Sequence, residues 1–332
     1  MGKMILRNFF ETNKIDWQCP VCMSREYETL EKHRSSAKMF EGTKTKLITC
    51  STCSAKSVYP MPSEQDICEL NKSFWEYQSD TRSARRRYYA QALYRVEYLR
   101  NYLNNLKDME ILDIGSGHAY IYDVLDPETN DLDYSVVEAD TNMRNELRRK
   151  GIERVYEEVG ATKHLKFDLI ILSHILEHLR EPKRYLEEVK HVLKENGYMF
   201  VEVPNQDDLH KQDLGAHLVV FNPNSLRKLF EELHFSVVNM VTVGSDIGDL
   251  IERKSMVKIR DMTKNLRASI KSHVPQIARL IKLMKGRYLR QSRNKNEPMD
   301  LSYYKFNVYS NNGRWLRAIV QKGIKPRNHQ EM

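Results

Sequence analysis

The 332-residue chain is 41% hydrophobic and 30% charged, the balance of a folded soluble protein with room for one α/β domain and an appendage or two. No apolar run approaches the ~20 residues needed to cross a bilayer, and the opening Met-Gly-Lys-Met-Ile-Leu-Arg lacks the apolar core and cleavage site of a secretion signal. A cytoplasmic protein is expected, with peripheral contact at the inner membrane surface as a variant. The formal charge of +8 is concentrated in one segment: fourteen Lys or Arg against a single acid, Asp261, lie between Arg253 and Lys295, so the rest of the chain is net acidic.

Taken from the N-terminus, Cys19-Pro-Val-Cys22 and Cys50-Ser-Thr-Cys53 form two knuckles separated by 27 residues. Each knuckle can bring two sulfurs to one metal, so Cys19, Cys22, Cys50 and Cys53 read as a tetrahedral Zn²⁺ site, favoured over disulfides in a cytosolic chain. The alternative is a ribbon that no longer holds metal, because the glycines that often follow such knuckles are here Met23 and Ser54. Cys68 is expected to be a buried thiol. Tyr59-Pro-Met-Pro-Ser63 reads as a stiff connector, and 64–107 as helical, with Leu93, Val96, Leu99, Leu103 and Leu106 facing a core at helical spacing. Arg85, Arg86 and Arg87 are read as a solvated face, or else as an anion-binding lid.

The organising stretch is Glu110-Ile-Leu-Asp-Ile-Gly-Ser-Gly-His-Ala-Tyr120. Ile111, Leu112 and Ile114 predict a buried strand that breaks into a glycine turn before a helix, the start of a nucleotide-binding α/β unit. A second strand, Tyr134 to Val137, runs into Glu138-Ala-Asp140, which places a carboxylate where a ribose would present its hydroxyls. Further strands are predicted at Arg154–Tyr156, Phe167–Leu172, Tyr198–Val203, Phe235–Val243 and Trp315–Val320. Pro182 opens a helix closed by Asn196-Gly197, and Asn222-Pro-Asn-Ser225 opens another over Leu226–Leu233.

Asp113-Ile-Gly115-Ser-Gly117-His-Ala119 resembles the Asp-x-Gly-x-Gly-x-Gly turn of class I S-adenosylmethionine-dependent methyltransferases, with Ala119 at the last glycine. The resemblance covers roughly 108–243 and 314–322. The Cys-Pro-x-Cys ribbon followed by Pro-x-Pro-Ser extends it to zinc-ribbon-bearing small-molecule methyltransferases, many of which act on sugars or glycans. It implies a Rossmann-like seven-stranded α/β sheet over 108–244 and 311–323, behind a zinc ribbon (1–62) and a helical connector or lid (63–107). Residues 245–310 stand as a basic helical insertion where the family has a short hairpin. It further implies S-adenosylmethionine bound at Gly115, Ser116, Gly117 and Ser173. Asp113 would order the loop or meet the ammonium, and Asp140 or Glu138 would bind the ribose. The adenine would lie near 157–161.

Methyl transfer needs positioning and, for an alcohol acceptor, a proton acceptor. The strand end at Ser173-His-Ile-Leu-Glu-His178 would bring His174, Glu177 and His178 onto one face if helical, either as a structural helix start or as metal ligands. His217, before Phe-Asn-Pro-Asn-Ser-Leu, sits where related enzymes place an acceptor-facing histidine. His217, His174 and Asn205 are the catalytic candidates. In the basic segment, Met262, Leu266 and Ile270, then Ile277, Ile281 and Met284, form apolar stripes that suit a membrane surface, a packing or dimer interface, or a nucleic acid. The leading expectation is methylation of a sugar or lipid-linked glycan. The alternatives are a ribosomal or transfer RNA methyltransferase and a non-catalytic binding module.

Overall fold

The computed structural model describes residues 16–72, 81–125, 132–248, 309–310 and 312–323. The predicted helices of the basic segment lie outside the described residues. In chain order the elements are β1 (Tyr27–Lys32), β2 (Lys46–Cys50), β3 (Lys56–Tyr59), α1 (Glu64–Lys72), α2 (Arg82–Arg100), β4 (Ile111–Ile114), α3 (Tyr120–Leu125), β5 (Tyr134–Val137), α4 (Thr141–Arg149) and β6 (Arg154–Tyr156). There follow β7 (Phe167–Ser173), α5 (Pro182–Val192), β8 (Leu193–Pro204), α6 (Asp207–His210), β9 (Val219–Val220), α7 (Pro223–Glu232), β10 (Phe235–Asp246) and β11 (Gly313–Lys322).

Seven strands form one sheet in the order β10-β11-β8-β7-β4-β5-β6. The inner strands are parallel and apolar because helices cover both faces, whereas β11 lies antiparallel between β8 and β10. Alternation along the strands divides the core. Leu112, Ile114, Ile170, Leu172 and Val201 point into a layer with α5 and α7, and Ile111, Val136, Leu169, Ile171 and Phe200 into a layer with α2, α3 and α4. The order reverses beside β4, between β5 and β7, and the carboxyl ends of these strands open the crevice where ligands of such sheets bind.

Two local expectations are corrected. The α5 helix ends at Val192, not at Asn196-Gly197: Leu193 already pairs with Phe167, and 194–197 form an excursion before Tyr198 pairs with Leu169. A Cβ on Gly197 would approach Leu193 Cδ1 and the Lys194 carbonyl at 2.9 Å, which explains glycine in that turn. Cys68 is exposed rather than buried.

The cysteine-bearing segment forms a second sheet, β1-β2-β3-β9, whose fourth strand comes from the loop after β8. Ribbon and loop are also tied by Val58 N to Leu218 O (3.0 Å), Leu214 N to Arg34 O (3.0 Å) and Asn222 Nδ2 to Ser54 O (2.7 Å). Their buried apolar side chains join one continuous core that includes Trp17, Val21, Leu47, Leu218 and Phe221.

Candidate active site

A cleft of about 1640 Å³ runs across the strand ends, lined at one end by the glycine turn and Glu138 and at the other by His174, Glu177, His178 and His217. That space exceeds the range of roughly 300–1,000 Å³ typical of a single small-molecule site. At the glycine end, Gly115 has φ +66° and a Cβ there would lie 2.1 Å from Ile175 Cδ1, so only glycine fits between this turn and Ile175. Ser116 lines the same wall, and Gly117 (φ +55°) donates its N–H to Glu138 Oε2 at 3.1 Å. Ser173, at the tip of β7, also reaches the cleft, and its hydroxyl has no hydrogen-bond partner among the described residues. Glu157, Glu158 and Val159 line the side where the adenine pocket is expected.

The two carboxylates after β5 have different positions. Glu138 borders the cleft and accepts from the Gly117 and Asp140 N–H groups, the latter at 3.0 Å. Asp140 is fully buried outside the cleft lining and caps α4, accepting from Met143 N at 3.0 Å. Of the two ribose candidates, Glu138 lines the cleft and Asp140 is turned to the N-terminus of α4. Asp113, also buried, accepts from the Tyr134 hydroxyl at 2.5 Å; burial pushes its carboxyl up to about 6, against the opposing pull of that hydrogen bond and of Arg95.

At the other end, His174, Glu177 and His178 do not share a helix face. His174 has φ +59°, and Leu176–His178 is a single 3₁₀ turn, so the imidazoles diverge. His174 sets Nδ1 3.0 Å from Glu177 Oε1 and Nε2 3.3 Å from Glu202 Oε1. Burial disfavours its charge, but the two flanking carboxylates hold its pKa above the usual histidine value. Glu202 lies opposite Arg317 in the β8–β11 register, accepts from the Arg317 Nε, and receives Arg95 Nε and Nη2 at 2.9 and 2.6 Å. Burial would raise the Glu202 carboxyl, yet Arg317 and Arg95 hold it well below the usual range.

His178 turns Nδ1 to the Ala216 carbonyl at 3.2 Å, and its ring meets the His217 ring edge-on at 4.8 Å between centroids. Burial pushes the His178 pKa down to about 4 despite Glu177, leaving the imidazole neutral at physiological pH. His217 places Nδ1 2.7 Å from Asp207 Oδ2, and Asp207 is also approached by His210 Nε2 (2.9 Å) and Lys211 Nζ (2.8 Å). Burial opposes the Asp207 charge, but these neighbours lower its pKa and keep it ionised. Asn205 does not line the cleft: fully buried, it donates Nδ2 to the Gly313 carbonyl at 2.8 Å and fastens β8 to β11.

Sequence reasoning missed Asp207 and the Arg95–Glu202–Arg317 group. Lone charges inside apolar strands, Glu202 in Phe-Val-Glu-Val-Pro and Arg317 in Trp-Leu-Arg-Ala-Ile-Val, were the available signal, because a buried charge demands a partner. Of the arginines in α2, Arg87 does line the cleft and stacks on Tyr88 at 5.1 Å, whereas Arg85 and Arg86 are exposed and outside the lining.

In the ribbon, Cys19 and Cys53 sulfurs lie 3.6 Å apart, as do those of Cys22 and Cys50. Four thiolates at about 2.3 Å from Zn²⁺ stand about 3.8 Å from one another in a tetrahedron, so the residues fit the metal. The two knuckles are equivalent: Met23 and Ser54 both take φ +59° and donate their N–H back to the Cys19 and Cys50 carbonyls at 3.0 and 2.9 Å. The left-handed turn is thus made without glycine.

Comparisons with known proteins accord with this geometry. Residues 82–240 match the family described as methyltransferase domain. The chain is similar to an uncharacterized protein of Methanocaldococcus jannaschii, at 26% identity over 144 residues, 43% of this chain and 62% of the relative. It is also similar to the ubiquinone biosynthesis O-methyltransferase of Histophilus somni, at 23% identity over 124 residues, 34% of this chain and 52% of the relative. The chain thus spans about half to three fifths of the length of these curated relatives. Among solved structures, a SAM-dependent methyltransferase from Archaeoglobus fulgidus aligns over 70% of this chain and 94% of its own, at 16% identity and TM-score 0.42. Strand order, glycine turn and family match define a class I S-adenosylmethionine-dependent methyltransferase domain in residues 82–240.

Proposed function

We propose that the protein transfers a methyl group from S-adenosylmethionine to a small-molecule acceptor of the sugar or glycan class, with a structural Zn²⁺ held by Cys19, Cys22, Cys50 and Cys53. The observation that carries the reading is the single cleft joining two chemically different ends. The Gly115-Ser116-Gly117 turn and Glu138 suit the adenosyl group, and the half-buried His217 and His178 with the buried Glu177 suit a polar acceptor. The cofactor, when bound, supplies an electrophilic methyl group; the protein's task is to hold the acceptor atom about 3 Å from it and to exclude water. Glu138 faces the ribose, Ser173 and Ser116 border the methionine moiety, and Asp113 stiffens the turn through Tyr134. His217, oriented by Asp207, meets the acceptor. Hydroxylated acceptors match this end, whose groups are hydrogen-bonding and partly to fully buried.

The test is incubation with methyl-labelled S-adenosylmethionine and fractionated cell extract. Label in a glycan or glycolipid fraction supports the reading, and label confined to RNA overturns the acceptor class. No heat with millimolar S-adenosylmethionine in calorimetry overturns the enzymatic reading itself.

A further inference from the structure

Glu177 and His178 come from the turn after β7, and His217 from the loop that carries β9. Each offers a ligand atom, and these atoms all lie within 4.8 Å of one another. The sequence grouped His174 with Glu177 and His178, but the positive φ at His174 turns its ring to Glu202, and His217 takes the place it vacates. Among the described residues, Glu177 Oε2 is buried with no hydrogen-bond partner although its side chain is only 1% exposed and borders the cleft. An ionised carboxylate oxygen in that condition is costly unless something positive meets it.

His178 Nδ1 lies 3.2 Å from the Ala216 carbonyl and His217 Nδ1 lies 2.7 Å from Asp207 Oδ2, contacts that favour the proton on Nδ1 of each ring and so a basic Nε2. A backbone carbonyl and a carboxylate behind ligating histidines are the arrangement that fixes the tautomer and strengthens the ligand. We propose that Glu177, His178 and His217 bind a divalent cation of the Mn²⁺ to Zn²⁺ series, whose open positions take oxygens of the acceptor. Donors at about 2.1 Å from such an ion sit about 3.0 Å apart in an octahedron and about 3.4 Å apart in a tetrahedron, within the 4.8 Å bound on these three ligand atoms. Two imidazoles and one carboxylate favour this series over Mg²⁺ or Ca²⁺, which prefer oxygen. The inference rests on the acceptor end of the proposed methyltransferase cleft. A cation there would order a hydroxylated acceptor and make a hydroxyl bound to it more acidic.

The test uses the full chain loaded with one equivalent of Zn²⁺ for the four-thiolate ribbon and freed of excess metal, then titrated with Mn²⁺ and followed by electron paramagnetic resonance, with no acceptor or cofactor present. One Mn²⁺ per chain is expected, with affinity at least ten-fold weaker in Glu177→Gln and in His217→Asn, each variant checked for an unchanged unfolding midpoint. S-adenosylmethionine binding is measured separately by calorimetry. No Mn²⁺ bound at 1 mM, or binding unaltered in both variants, overturns the site. Mn²⁺ binding without S-adenosylmethionine heat leaves the cation site standing and removes the methyltransferase reading, and the reverse result removes the cation site alone.

Discussion

Asp207 and His217 stand 2.7 Å apart, Oδ2 to Nδ1, although they lie on α6 and on the loop beyond it and Asp207 is only 1% exposed. At that distance the ionised carboxylate favours the proton on Nδ1 of His217. Asp207→Asn keeps the shape but can present its amide N–H to Nδ1, favouring the wrong tautomer. Turnover on the labelled acceptor fraction should fall 10- to 100-fold, the usual range for such supporting partners, while S-adenosylmethionine affinity stays within two-fold. An equal loss in both would mean that Asp207 supports the fold and not the acceptor end.

The pair Glu138 and Asp140 separates binding from capping. Glu138→Ala removes the cleft-facing carboxylate and should weaken S-adenosylmethionine binding at least ten-fold by calorimetry. Asp140→Ala removes the hydrogen bond to Met143 N and should cost about 1 kcal/mol of stability in urea unfolding, with the cofactor affinity nearly unchanged. Reversed outcomes would return the ribose to Asp140.

These two carboxylates mark where sequence reading stopped. Strand periodicity at Ile111–Ile114, Tyr134–Val137 and Phe167–Leu172 is a local property, and it located the sheet and the glycine turn to within a residue. Which of two acids two residues apart turns inward depends on where α4 begins, and Asp140 is a good N-cap as well as a good ribose ligand. His174, Glu177 and His178 do not share the helix face expected of them because the segment is a 3₁₀ turn preceded by a positive φ, although His174 and Glu177 still meet at 3.0 Å. Nothing local in 205–221 announced that its Val219–Val220 would become the fourth strand of the cysteine ribbon, since that pairing spans some 160 residues.

Asp113 ties stability to pH. Its folded pKa is raised to about 6 from an ordinary 3.8, so its contribution to stability is fully present below about pH 4 and is lost as pH rises through 6. The shift corresponds to about 3 kcal/mol at 1.36 kcal/mol per unit. Urea unfolding at pH 4, 5.5 and 7 should show the wild type losing about that much relative to Asp113→Asn, which cannot titrate. A constant difference across the three pH values would mean the carboxyl is not perturbed in the folded state.

The ribbon should act on the acceptor end and spare the cofactor end. Its β3 pairs with β9, and Val58, Arg34 and Ser54 hold the loop that carries Asp213 to Asn222, with His217 in its middle. Zn²⁺ held by the four thiolates would add folding free energy to this sheet, so chelation or Cys19→Ser should loosen β9 before it loosens β4, which lies in the other sheet. Hydrogen exchange should then accelerate across 213–221 while the Ile111–Ile114 amides stay protected. The acceptor KM should rise several-fold, and S-adenosylmethionine affinity should stay within two-fold. Loss of cofactor binding together with the metal would show that the two sheets unfold as one unit; unchanged exchange at 213–221 would show that the loop is held by its own contacts with the turn after β7, through Leu218 N to Glu177 O, and not by the ribbon.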